Sequence, residues 1–203
     1  MAKTIQKTRA VPSTPAVRPV AIVVSLYTRT VTDALLVGAR TEYASRGGQP
    51  ANLAIYEASG AFEVVPLVLA AAMTNKFAAV VALACIIKGE TSHDQILGHA
   101  VTQGLVAITL QTGVPVGLGV LTVDTPAQAE ARAGGTHGNK GQEAMAAALD
   151  TALQIEAINS AKIGSTRANL VRNFVTKPLI KSRPSAARVT RSLPDKARRG
   201  GRS

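Results

Sequence analysis

His93 closes the run Lys88-Gly89-Glu90-Thr91-Ser92-His93, which leads from an apolar segment directly into a helical pattern. The first N–H groups of a helix have no partner inside it, and with the positive end of the dipole they form a cradle for an anion. An imidazole at the mouth of such a cradle can move protons near neutral pH. Ser and Thr at a helix start are also ordinary capping residues, and a solvated histidine is commonplace, so this stretch alone does not establish a site. Arg132 could grip a phosphate through two parallel N–H groups, and Lys140 follows in Gly138-Asn139-Lys140-Gly141. The bland account of Arg132 is a surface ion pair with Glu130 or Glu143. His99 is six residues from His93, so the two cannot share a helical face as an i, i+4 metal pair would, and no metal site is expected.

The elements that must position these groups alternate strand and helix, the pattern of a parallel sheet covered on both faces. Residues 19–24 form a β-branched run, and 31–46 then repeat apolar residues at helical spacing until Gly47-Gly48-Gln49-Pro50 stops them. A second strand is predicted over 53–58, then a helix opened by Pro66 and ending near Asn75. A third strand over 77–87 is wholly apolar, and Leu97, Val101, Leu105 and Ile108 mark one face of a helix over 93–111 closed by Gly113. A fourth strand over 115–122, a short helix over 126–133, a glycine-rich turn over 134–138 and a last helix to about Ile158 complete the body. In such sheets ligands bind beyond the carboxyl ends of the strands. The loops there hold Tyr27 after the first strand and Gly60-Ala61-Phe62-Glu63 after the second, placing two of the six aromatic residues where a ring could be stacked. Plain loop packing is the competing account of both.

A chain of 203 residues that is 46% apolar can bury one sizeable core. Its net charge of +11 is uneven. Residues 160–203 carry twelve Lys and Arg against one acid, Asp195, and residues 1–18 carry four cations and no acid, which leaves a mildly acidic body between them. One domain over 19–159 is therefore expected, between a flexible arm (1–18) and a basic, disordered tail (160–203) in which a short amphipathic piece over 170–175 could dock. The single cysteine, Cys85, has no partner in the chain and suits a reducing compartment. No apolar run approaches the roughly 20 residues of a membrane span, and the start lacks the apolar core of a secretory signal. A cytoplasmic protein is expected; an acid-poor start with Ser and Thr also matches the composition of an organellar transit peptide.

Taken in order and spacing, five segments resemble the lumazine synthase family. They are Gly60-Ala61-Phe62-Glu63, Lys88 to His93, Gly119-Val120-Leu121-Thr122-Val123-Asp124-Thr125, Gln128-Ala129 to Arg132-Ala133-Gly134, and His137-Gly138-Asn139-Lys140-Gly141. The resemblance spans about residues 18–158. It implies a flavodoxin-like three-layer α/β/α fold on a four-stranded parallel sheet. It also implies a transferase of riboflavin biosynthesis that condenses 5-amino-6-ribitylamino-uracil with 3,4-dihydroxy-2-butanone 4-phosphate without metal or organic cofactor. Carried over by position, Tyr27 would stack on the pyrimidine, Phe62 with Glu63 would hold the ribityl chain, and Ala61 would contact substrate. Ile86, Ile87 and Lys88 would line the site, the backbone near Glu90 and Thr91 with Arg132 would bind phosphate, and Lys140 would sit beside the phosphate and ribityl region. His93 would transfer protons, and Leu118 matches a position that reaches in from a neighbouring subunit. The family assembles as pentamers, some packed into 60-subunit icosahedral shells, and riboflavin synthase is a partner to test.

The chain departs from the family pattern at three places. Leu26-Tyr27-Thr28 stands where Arg-Phe-Asn is usual, Asp94-Gln95 follows His93 in place of Phe-Asp, and both Val64 and Val65 precede Pro66 where one aliphatic residue is usual. Three other readings compete: a flavodoxin-like binding module using the Thr-rich loop 25–32, a cage or scaffold of this family that catalyses weakly, and a nucleic-acid or other polyanion binder acting through the basic tail.

Overall fold

The computed structural model describes residues 17–161. The sequence expectations for the N-terminal arm up to residue 16, for the basic tail from residue 162 and for the piece over 170–175 lie outside the described residues. Along the chain run β1 (Val20–Ser25), α1 (Arg29–Ser45), β2 (Leu53–Ala58), α2 (Ala61–Met73), β3 (Ala79–Ile87), α3 (His93–Thr112), β4 (Val116–Val123), α4 (Pro126–Arg132), β5 (Ala133–Gly135), β6 (Gly138–Asn139) and α5 (Lys140–Ser160).

β1 to β4 form one parallel sheet in the order β2-β1-β3-β4. Every residue of β1 and all but the last of β3 are buried, which is why both read as unbroken apolar runs rather than alternating ones. Alternate residues feed two cores. Val20, Ile22, Leu83 and Cys85 meet Leu35, Tyr43, Met145 and Leu149 of α1 and α5, whereas Ala21, Val23, Ala82 and Ile86 meet Val64, Val68, Val101 and Leu105 of α2 and α3. The result is the expected three-layer arrangement.

Two expectations need correction. Pro66 does not open α2; it lies inside a helix that begins at Ala61 after Gly60 in extended conformation. A proline there removes one backbone bond, at a cost of about 3 kcal/mol or more in a helix interior. Val64 and Val68 are wholly buried against the sheet, and at about 1.5–3 kcal/mol each they offset that cost. Ala61, Phe62 and Glu63 are therefore the first turn of a helix and not a loop. The second valine is absorbed at the contact between α2 and α3: a Cβ on Gly104 would come within 2.8 Å of Val65 Cγ1, so α3 leaves room for it. The glycine-rich turn over 134–138 is likewise not plain turn but a small antiparallel hairpin, β5 with β6, in which Gly134 and Gly138 take positive φ.

Candidate active site

The strand order reverses direction between β1 and β3, and the crevice beyond their carboxyl ends is where such a sheet offers a binding site. A cleft of about 600 Å³ opens there, lined by Tyr27, Ala61, Phe62, Glu63, Ile86, Ile87, Thr91 and His93 among others. Eight of the thirteen expected site residues thus come together around one space.

Each wall has a local cause. After β1, Leu26 N–H extends the ladder to Ala58 O (2.7 Å) and Tyr27 N–H donates to the buried Ser25 Oγ (3.2 Å), a turn that leaves the Tyr27 ring 71% exposed at the mouth. Thr28 then takes a left-handed conformation (φ 62°) before α1 begins, an unusual geometry for a β-branched residue. α2 starts at Gly60 without a side-chain cap, and the Glu63 carboxylate folds back so closely that a Cβ on Gly60 would lie 2.8 Å from Oε2. α3 starts beside it, again without a side-chain cap bond from Ser92; Thr91 Oγ1 accepts from His93 N–H at 3.4 Å. Two helix N-termini therefore face the cleft, favouring anionic or carbonyl groups. Phe62 is 61% exposed on its rim.

The remaining expected residues lie outside this cleft. Arg132 lines an adjoining pocket of about 250 Å³ with Thr122, Asp124 and Gln128, and its Nη1 donates to Gln128 O (3.0 Å). Lys88 sits 3.8 Å from Asp124, and Glu90 is exposed in the loop before α3. Leu118, half-exposed in mid-β4, and Lys140, ion-paired to Glu143 at 2.7 Å, are not brought to the cleft by this chain. Five lining residues are not among those the sequence assigns to the site: Gly60 and Gly89, which lie within the motifs, Cys85, whose alternation points it at the α1 and α5 core, Leu97, assigned to a helix face, and Asp94, noted only as a departure after His93. Burial pushes the Cys85 thiol up to about 11, so it stays protonated near neutral pH.

A family model of 6,7-dimethyl-8-ribityllumazine synthase matches residues 18–156, which takes in the whole sheet and every lining residue of the cleft. The chain belongs to the lumazine synthase family. The 6,7-dimethyl-8-ribityllumazine synthase of Stenotrophomonas maltophilia (strain R551-3) is 42% identical over 138 residues, 68% of this chain and 88% of the relative. That of Xanthomonas campestris pv. campestris (strain B100) is 41% identical over 129 residues, 64% and 84% of the two chains. The lumazine synthase sheet order, β2-β1-β3-β4 with helices on both faces, is consistent with the flavodoxin-like fold. Among the described residues, no helix is long and apolar enough to cross a membrane.

Proposed function

We propose that this chain performs the reaction of its family, condensing 5-amino-6-ribitylamino-uracil with 3,4-dihydroxy-2-butanone 4-phosphate to 6,7-dimethyl-8-ribityllumazine, with loss of phosphate and water. The carrying observation is the convergence of a stacking ring, a carboxylate, two open helix starts and an imidazole on one cleft at the sheet's reversal point. Tyr27 stacks on the pyrimidine, Phe62 with Glu63 holds the ribityl chain, and Ala61, Ile86, Ile87 and Lys88 shape the floor. The backbone at Glu90 and Thr91 with Arg132 binds phosphate, and His93 carries protons between the condensing amine, the ketone oxygen and the leaving groups. Holding both reactants in register supplies much of the acceleration. Mixing the two substrates with purified protein and following lumazine fluorescence tests the reading. Turnover above the uncatalysed rate supports it; a folded protein with no turnover would leave the alternative, a cage without catalysis.

Leu118 and Lys140, remote from this chain's own cleft, are read as contributions to the cleft of a neighbouring copy in a pentamer, with Lys140 beside the phosphate and ribityl region there. The absence of an insertion between Gly134 and Gly141 suits packing of pentamers into a 60-subunit shell, with riboflavin synthase as a candidate companion and the cytoplasm as the compartment. Mass measurement in solution tests assembly, and an active monomer at assay concentration would exclude the shared site. The twelve cations of residues 160–203 are read as a binding element for nucleic acid or another polyanion, repeated on each copy and steeply salt-dependent. Deleting these residues should abolish retention on nucleic acid at low salt and leave catalysis intact; unchanged retention would rule this out.

A further inference from the structure

Asp94 is the one residue that lines both the 600 Å³ cleft of His93 and the 250 Å³ pocket of Arg132. Its Oδ1 is also the one buried side-chain polar atom without a hydrogen-bond partner among the described residues. A buried acceptor left unmatched costs on the order of 1–3 kcal/mol, more for a charged group, so its persistence calls for a partner acquired at another stage. Its place in the first turn of α3 keeps the carboxylate in the favourable field of the helix start. Two cations stand nearby. Lys88 already faces Asp124 at 3.8 Å, whereas among the described residues Arg132 spends one donor, on Gln128 O, and has no carboxylate within ion-pair distance.

We propose that Asp94 is a positioning residue for Arg132: when an anion enters the pocket, the carboxylate and the guanidinium pair, and the planar fork is fixed with its remaining N–H groups toward the phosphate. A guanidinium with five donors can serve a carboxylate and a phosphate together, and both side chains line the same 250 Å³ pocket. The inference rests on the reading of Arg132 as a phosphate ligand, yet part of its test is independent of catalysis.

Inorganic phosphate is titrated calorimetrically into the full chain and into Asp94→Asn, Arg132→Gln and the double variant. Pairing predicts that Asp94→Asn weakens phosphate binding about tenfold in the parent and not at all beside Arg132→Gln, the signature of two coupled groups. Asp94→Glu should recover part of the loss. In the lumazine assay, Asp94→Asn should raise KM for the butanone phosphate more than it lowers kcat, and leave KM for the aminouracil alone. Equal losses in both backgrounds, no phosphate binding by the parent, or a melting shift with no change in affinity would each overturn the proposal. Coupled phosphate binding without lumazine formation would instead remove the proposed reaction and leave the Asp94 and Arg132 pair standing.

Discussion

The two ends of the parallel sheet are built to different ends. At the amino end, polar groups are matched: Arg46 pairs with both Glu42 and Asp150, Arg18 reaches Glu156 at 3.4 Å, and the buried Tyr43 hydroxyl lies 3.1 Å from Arg18 O. At the carboxyl end, Thr28 is strained, Asp94 Oδ1 is unmatched, three helices (α1, α2 and α3) begin without side-chain caps, and the Tyr27 and Phe62 rings stand in solvent. Groups left unsatisfied are groups a ligand can satisfy, so the end that binds is the end that contributes least to stability. The contrast can be broken from either side.

The largest effect is expected from His93→Ala, which should lower turnover about 10²- to 10⁴-fold with the melting temperature unmoved, because the imidazole makes no hydrogen bond among the described residues. Wild-type turnover across pH 6 to 8 would remove His93 from its role. Arg46→Ala should do the reverse. The Arg46 side chain is 32% exposed and that of Asp150 60%, so after screening the loss is about 1 kcal/mol, read as a lower melting temperature with kcat intact. A smaller change of opposite sign is expected from Thr28→Asn. Asparagine tolerates the left-handed region that costs threonine roughly 1 kcal/mol, and a melting temperature below that of the parent would show that Thr28 is held by something else.

The effect that is smallest at neutral pH is an alkaline one. Burial raises the Cys85 thiol from its ordinary 9.0 to about 11 and raises Tyr43 as well. The unfolded chain therefore ionises Cys85 first, and the stability this thiol contributes is complete below pH 9 and lost as pH climbs to about 11. Unfolding measured across that interval should fall less steeply in Cys85→Ala; identical slopes would place the alkaline loss wholly elsewhere.

How much of this was legible depended on whether the deciding contact was local. The second strand is read to the residue, Leu53–Ala58, because its turn signals flank it on both sides, and α3 stops at Gly113 as its left-handed φ of 70° requires. Pro66 reads as a helix start because its local signal is strong, whereas the burial of Val64 that overrides it is tertiary. The Gly-Asn-Lys-Gly segment suggested ligand chemistry through Lys140, but its clearest contacts are architectural. Asn139 Oδ1 accepts from Gly141 and Gln142 N–H while its Nδ2 donates to Ala34 O, and Gly141 meets the Leu35 backbone without space for a Cβ. Nothing near residue 139 announces a partner at residue 34. Asp94 was visible as a departure in sequence, but its position between two cavities was not.

That union of α1 with α5 has a consequence during synthesis. The apolar side of α1, with Leu35 and Ala39, is covered by Met145 and Leu149 of a helix that begins at Lys140. Translation at about 5–20 residues per second delivers that cover several seconds after α1 leaves the ribosome. During this interval β1 and β3 can already pair, yet one side of the nascent sheet stays open to chaperones and to other unfinished chains, and the last helix acts as the latch that ends the exposure.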